Sequence, residues 1–313
     1  MKIVFPDRET LGYDTDLSIF NTFGEVIKYD YTSPEDMPER VIDADILILN
    51  KVPVNKKTCG SASKLKLVSV TATGTNNLDK KFLSDNNIEW RNVAGYSTES
   101  VVQHTFALFF SLYEKLPYYD DYVKSGKYSD TRCFTHFGLP FSELSGKTWG
   151  IIGLGTIGHR VAEVAGAFGC NIIYYSTSGK NHDLIYKEVK LDELLSTSDV
   201  ISIHAPLNDA TMHLINQRTL SQMKKNAFLI NVSRGPIIIE SDLANAIEKG
   251  IIAGAGLDVF DSEPISCDNP LLKISHKDRL IMTPHIAWAS NEARNRLMKT
   301  VFNQIDEFLK QKS

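Results

Sequence analysis

Trp149-Gly150-Ile151-Ile152-Gly153-Leu154-Gly155-Thr156-Ile157-Gly158 reads as a short buried strand running straight into a glycine-rich turn and then a helix. Gly153 allows the tight turn after the strand, and Gly155 leaves no side chain between the main chain and a pyrophosphate. Gly158 lets the helix pack close to the strand. The helix start, with Thr156 and Ile157, offers free N–H groups and the positive end of the helix dipole to phosphates. A lone G-x-G-x-x-G arises easily by chance, so the flanks decide. Here Ile157, Val161, Val164, Ala165 and Phe168 recur at helical spacing, Gly169 sits where a helix C-cap belongs, and Cys170 to Tyr175 reads as the next strand. The segment is therefore read as a dinucleotide-binding turn rather than a plain packing turn.

Working outward, a second α/β series runs from Thr148, with strands near Trp149–Ile152, Cys170–Tyr175, Val200–His204, Ala227–Asn231, Ala253–Val259 and Leu280–Met282. Six strands with intervening helices predict a doubly wound parallel sheet. The first hundred residues alternate in the same way, with strands predicted at Lys2–Phe5, Val26–Asp30, Ala44–Leu49, Leu65–Ala72 and Ile88–Val93. Between the series, Ser97 to Tyr119 is one apolar helical run with no obvious break. The tail from Ser290 to Lys312 carries Ala293, Leu297, Val301, Ile305 and Leu309 as a single apolar face. A chain that enters the second domain by one helix and leaves by another returns to the first. The expected division is 1–97 plus 287–313 and 98–286, with a cleft between two lobes that the Gly153 turn faces.

Composition narrows the function. The chain has 313 residues, 42% apolar and 23% charged, which is ordinary for a globular protein of about two domains. Lys plus Arg number 34 against 38 Asp plus Glu, a net charge of -4 with no basic block, so nucleic acid is not an expected partner. The start Met1-Lys2-Ile3-Val4-Phe5-Pro6-Asp7 is no signal-peptide core, and no segment is apolar for long enough to span a bilayer. Cys59, Cys133, Cys170 and Cys267 are too scattered for a disulfide framework or a metal site. The expectation is a cytoplasmic protein with no membrane partner and no metal.

Three polar residues in the last third follow predicted strand ends, where open α/β sheets place ligands. Arg234 lies in Asn231-Val232-Ser233-Arg234-Gly235, Glu263 follows Leu257-Asp258-Val259-Phe260-Asp261-Ser262, and His285 sits in Thr283-Pro284-His285-Ile286-Ala287-Trp288. Singly, each reads as a surface or structural residue. Together, an arginine to grip an acid group, a histidine to move a proton and a carboxylate to orient and charge that histidine suffice to interconvert a carbonyl and an alcohol beside a nicotinamide.

Over essentially its whole length the chain resembles the D-isomer-specific 2-hydroxyacid dehydrogenases. The carrying stretches are Gly153 to Gly158, His204-Ala205-Pro206, Asn231 to Gly235, Gly256 to Glu263, and Pro284-His285. The resemblance implies two doubly wound parallel-sheet domains, a flavodoxin-like substrate domain and a Rossmann dinucleotide-binding domain. It gives Arg234 the substrate carboxylate and carbonyl, His285 the acid/base role and Glu263 the pairing with His285. It sets Asp258 at the nicotinamide carboxamide, makes His204, Ala205 and Pro206 with Thr211 the wall around ribose and diphosphate, and adds Val232 and Ser233 to the cofactor site. It also implies a homodimer built on the cofactor domain.

In the first domain, Thr71-Ala72-Thr73-Gly74-Thr75 follows a strand, and the resemblance gives the backbone of Thr73 and Gly74 to the substrate carboxylate. Lys51, Tyr96 and Trp288 are further candidates for the substrate pocket. Ala72 to Asn77, Gln103 to Leu108 and His285 to Ser290 are most similar to the glycerate dehydrogenase (hydroxypyruvate reductase) branch. Trp288 speaks against the phosphoglycerate dehydrogenase branch. Rossmann sites for NAD place an Asp or Glu about 20 residues past the turn, yet this second strand ends Tyr174-Tyr175-Ser176-Thr177-Ser178-Gly179-Lys180. Ser176 takes the place of the acid, and Ser176, Thr177, Ser178 and Lys180 are all able to meet a phosphate. NAD and NADP are both expected as cofactors. The expected reaction is reduction of a small 2-keto acid, hydroxypyruvate or glyoxylate. A D-lactate-type or broader 2-hydroxyacid dehydrogenase and a non-enzymatic dinucleotide-sensing module remain as alternatives.

Overall fold

A computed structural model describes residues 1–180 and 182–312. The chain divides into two units, one of Met1–Ser97 with the C-terminal segment from Ala289, the other of Thr98–Trp288.

The first unit is a five-stranded parallel sheet. Its strands are β1 (Lys2–Phe5), β2 (Glu25–Lys28), β3 (Ile46–Leu49), β4 (Leu67–Val70) and β5 (Glu89–Asn92), in the order β2-β1-β3-β4-β5. That is the flavodoxin-like order, with its switch point between β1 and β3. The inner strands β3 and β4 are buried at every residue, whereas the edge strands β2 and β5 carry Glu25, Lys28, Glu89 and Arg91, as edges that must not recruit further strands do. Short helices α1 (Met37–Arg40), α2 (Lys56–Cys59) and α3 (Lys80–Asp85) fill the crossovers.

The second unit contains α4 (Thr98–Tyr113), α5 (Leu116–Lys124), β6 (Thr148–Ile152), α6 (Thr156–Ala167), β7 (Asn171–Tyr175), β8 (Lys187–Glu188), α7 (Leu191–Thr197), β9 (Val200–Ile203), α8 (Gln217–Gln222), β10 (Phe228–Asn231), α9 (Glu240–Glu248), β11 (Gly254–Leu257) and β12 (Leu280–Met282). All strands are parallel, in the order β12-β11-β10-β9-β6-β7-β8. The sheet is doubly wound and reverses between β6 and β9, where a ligand crevice belongs. Alternate side chains feed two apolar layers: Trp149, Ile151, Phe228 and Ile230 lie on one face, and Ile152, Ile201, Leu229 and Leu257 on the other. The chain ends in α10 (Asn291–Lys312), which belongs to the first unit. There it is tied to β5 by Arg91 Nη1 donating to the Gln304 carbonyl at 2.7 Å.

Three expectations need correction. The second sheet has seven strands rather than six; β8 is two exposed polar residues and carries no hydrophobic signal. The run from Ser97 to Tyr119 is two helices, because Pro117 has no N–H to donate and its ring clashes with the carbonyl of Tyr113 in a continuous helix. The chain breaks at Lys115, in the left-handed region at φ 56, and restarts with Pro117 in the first turn of α5. In α10 the buried face closes on Phe308, and Leu309 is half-buried.

Candidate active site

At the C-terminal edge of the second sheet, β6 runs into the glycine turn. Gly153 has φ 93 and donates its N–H to the Tyr175 carbonyl at 3.0 Å; a Cβ on it would lie 2.8 Å from the Ala205 backbone. A Cβ on Gly158 would fall 2.3 Å from the Gly153 carbonyl oxygen, so α6 starts hard against the turn. Gly155 is different, because no atom lies within 4 Å of where its Cβ would be. It caps α6 with no side-chain hydrogen bond, leaving the N–H groups of Thr156 and Ile157 for an anion.

Two orphaned polar atoms flank this turn. Ser176, at the end of β7, is buried and its hydroxyl has no partner among the described residues. His204, at the end of β9, has a buried Nε2 without a partner among the described residues, and burial pulls its pKa down to about 3, so the ring is neutral. Buried polar groups seldom stay unpaired, and both lie at the strand ends that bracket the crevice. Thr177 is half-buried; Ser178 and Lys180 are exposed, the Lys180 N–H donating to the Ser178 hydroxyl at 3.2 Å. Thr211, expected on the cofactor wall, is wholly buried. Its hydroxyl donates to the Pro206 carbonyl at 2.7 Å and accepts the Asn208 N–H at 2.9 Å, so it braces the exposed Pro206 loop from behind. Ser233 ties that loop to the next by donating to the Ala205 carbonyl, and Val232 is buried in the apolar layer.

Past β10, Arg234 is half-buried. Its guanidinium donates to the Ser233 carbonyl at 2.7 Å, and no carboxylate lies within ion-pair distance of it among the described residues. Gly235 explains the course of the chain, since a Cβ there would lie 1.9 Å from the Phe260 carbonyl carbon and 2.4 Å from the Asp261 nitrogen. The bare backbone thus brings the Arg234 loop against the loop that carries Glu263. Glu263 accepts the Phe260 N–H at 3.1 Å through one oxygen and meets His285 Nδ1 at 2.7 Å through the other. That short contact to a carboxylate puts the proton on Nδ1 and turns Nε2 away from Glu263.

His285 has a left-handed backbone at φ 56, unusual for a residue with a side chain. Asp258 holds it there. The His285 N–H donates to the Asp258 carbonyl at 2.8 Å, and the next two N–H groups, of Ile286 and Ala287, donate to the Asp258 carboxylate at 2.8 Å each. Thr283 donates to the same carboxylate at 2.6 Å, and His104, reaching over from α4, lies 2.9 Å from the Thr283 hydroxyl. Burial pushes the Asp258 carboxyl up, but His104, Thr283 and the two N–H groups outweigh it and hold the pKa below its ordinary value. Asp258 is 0% exposed and fully engaged within the chain. Through these bonds it clamps the His285 loop. Sequence reading passed over Gly235, Thr283 and His104 as functional residues. All three lie in quoted motifs, but nothing in a linear pattern shows a close approach or a buried cluster.

In the first unit, the N–H groups of Thr73 and Gly74 have no acceptor among the described residues. The Thr73 hydroxyl is turned back to the Val93 carbonyl at 3.0 Å. Lys51 is exposed, and its N–H donates at 2.6 Å to Asp7, a buried carboxylate that also takes the Asn50 and Val52 N–H groups. Tyr96 is buried, its carbonyl accepting from Arg296 at 2.9 Å. In the second unit, Trp288 is half-buried against the apolar layer of α4.

An open glycine cradle, an uncapped helix start and orphaned Ser176 and His204 atoms fit a dinucleotide, and the histidine, carboxylate and free arginine fit a carbonyl-to-alcohol reaction. Fold and site together define an NAD(P)-dependent oxidoreductase acting on CH–OH groups. Residues 106–287 match the family described as D-isomer specific 2-hydroxyacid dehydrogenase, NAD binding domain, and the chain belongs to that family. It is 39% identical over 318 residues to a hydroxypyruvate reductase of Blautia hydrogenotrophica, covering 99% of this chain and 97% of that one. Among solved structures it is similar to an acyclic imino acid reductase in complex with NADPH and D-Arg, at 31% identity and TM-score 0.85, covering 99% of this chain and 98% of the other. It is also similar to a D-lactate dehydrogenase of Aquifex aeolicus complexed with NAD and lactic acid, at 26% identity and TM-score 0.86, covering 99% and 96%.

Proposed function

We propose that this dehydrogenase reduces a small polar 2-keto acid, hydroxypyruvate or glyoxylate, to D-glycerate or glycolate. The observation that carries the reading is the His285–Glu263 pair at 2.7 Å, with the Arg234 guanidinium unmatched by any carboxylate. A reduced nicotinamide, when bound, supplies the hydride. Arg234 grips the substrate carboxylate and orients the keto group. Glu263 holds the imidazole through Nδ1, and Nε2 gives its proton to the keto oxygen. Gly153, Gly155, Thr156, Ile157 and Gly158 hold the diphosphate, Ser176 with Thr177 meets the ribose, and His204, Ala205, Pro206, Val232 and Ser233 form the opposite wall. The first unit is the substrate-binding domain, where the free N–H groups of Thr73 and Gly74 suit a carboxylate. Lys51, Tyr96 and Trp288 set the room left for the rest of the substrate.

The name of the 39% identical relative supports the hydroxypyruvate reading. Rates with hydroxypyruvate, glyoxylate, pyruvate and branched 2-keto acids, each with NADH and NADPH, test it. Equal or better catalytic efficiency with pyruvate would replace it with a D-lactate-type or broader activity. Oxidation of neither cofactor with any 2-keto acid would leave the sensing module.

The same reading includes a cytoplasmic homodimer. Among the described residues no helix is long and apolar enough to cross a membrane, and the four cysteines are free thiols. After α5 the chain holds Phe134 and Phe137 at 89% and 92% exposure. Two large aromatics so close in sequence and so exposed mark an association surface, and a second copy of the chain is the proposed occupant.

A further inference from the structure

The opposite edge of the second sheet carries a recess that the reaction does not use. Its volume is about 410 Å³, within the range of small-molecule sites. It is lined by the residues that enter the strands: Lys147 just before β6, Asp199 before β9, Phe228 opening β10, and Arg279 before β12. Because every strand is parallel, this edge is a full strand length from the glycine turn, Arg234 and His285.

The charges in the recess are unbalanced. Lys115, Lys147 and Arg279 are all half-buried, and none has a carboxylate within 4.0 Å among the described residues. Asp199, an acid in the same lining, is already engaged. It accepts the Thr148 N–H at 3.0 Å, Lys224 Nζ at 3.1 Å and Asn226 Nδ2 at 3.3 Å. The other acid, Asp278, is exposed. Lys115 occupies the left-handed joint between α4 and α5, and its ammonium lies 5.7 Å from the Phe228 ring centroid. Burial lowers the Lys115 pKa, and the attraction of Asp278, opposed by Arg279, offsets this only in part. Arg279 extends alongside Gly250, where a Cβ would already be 3.4 Å from Nη1. Three cations around one cavity, with no carboxylate partner within 4.0 Å among the described residues, form a concentration of positive charge that suits an anionic ligand.

We propose that this recess is a second binding site, for a small organic polyanion carrying two or more carboxylate or phosphate groups. Lys115, Lys147 and Arg279 hold its charges, and the Phe228 ring forms the floor. The site is separate from the dinucleotide turn, so the anion and the cofactor bind together.

The test is calorimetric titration of the full-length protein with citrate, with NADH saturating so that the glycine turn is filled. One citrate per chain is expected, with an affinity that falls as salt is added. Replacing two of the charge-assisted contacts in K115M/R279M is expected to weaken binding by roughly 100-fold, about tenfold for each. Turnover with 2-keto acid and NADH is expected to stay at the wild-type level. K147M provides a single-site check should the double variant fail to fold, with an expected loss of about tenfold. Absence of saturable citrate binding to the wild type, or undiminished affinity in the folded variants, would overturn the proposal.

Discussion

The most specific consequence of the site geometry concerns Gly235. A methyl group at this position would be 1.9 Å from the Phe260 carbonyl carbon, 2.0 Å from its oxygen and 2.4 Å from the Asp261 nitrogen. Carbon atoms settle at roughly 3.5–4.0 Å, so in G235A the two loops must part by about 1.5–2 Å. The obstacle is backbone, which has no rotamer to escape into. Glu263 moves with Phe260, whose N–H it accepts, so the displacement separates Arg234 from the His285–Glu263 pair. A misplacement of about 1 Å costs on the order of 100-fold, which is about 2.7 kcal/mol of transition-state stabilisation. The expected result is a fall in kcat/KM of about 100-fold with hydroxypyruvate, and overpacking of about 1–3 kcal/mol lowers the Tm by several degrees. Dinucleotide affinity, measured by NADH fluorescence, is expected to change little, because the Gly153 turn is not part of the clash. G166A is the matched control: its Cβ would meet nothing within 4 Å inside α6, so stability should rise by up to about 1 kcal/mol with activity intact. A folded G235A protein with wild-type kcat/KM would refute the argument that bare backbone at this position assembles the site.

Replacing His285 by Ala is expected to remove roughly 100-fold or more of turnover, as for a general acid, while NADH still binds; near wild-type turnover would exclude the assignment. His204 is neutral when folded, with a pKa of about 3 against an ordinary 6.5. Between those values the unfolded chain binds a proton that the native chain refuses, so stability rises with pH there and is lost as pH falls below 6.5. The loss is about 1.4 kcal/mol per pH unit. Urea midpoints at about pH 7 and pH 5 should therefore converge in H204Q relative to wild type, and an equal loss in both proteins would count against a buried neutral histidine. With Ser176 in place of an acid, the preference between NADH and NADPH is expected to stay below roughly a thousandfold, about 4 kcal/mol. S176D should shift it toward NADH, and a strong NADH preference in the wild type would contradict this. On the proposed dimer, the wild type is expected to elute as a dimer and F134S/F137S as a monomer, and an unchanged elution volume would rule out that surface.

The sequence by itself determined the elements and the chemistry that depend on local pattern. Glycine spacing after a buried strand specifies a turn because backbone freedom and the absence of Cβ are properties of the residue alone, and Gly153, Gly155 and Gly158 behave accordingly in the structure. Apolar runs announced eleven of the twelve strands among the described residues, the exception being the polar pair Lys187–Glu188. Arg234, Glu263 and His285 were legible because each follows a strand end in a parallel sheet, whose topology gathers such positions at one edge. Only the tertiary structure decided how they are held. The clamp of Asp258, Thr283 and His104 on a left-handed His285 joins residues up to 179 positions apart. It is made by buried hydrogen bonds whose partners are chosen by packing and leave no periodicity in the chain. The same holds for Thr211, whose hydroxyl is consumed inside its own loop, and for the unmatched cations behind the sheet. A charged residue reads alike in sequence whether a carboxylate is beside it or not, and only the fold settles which charges are left without one.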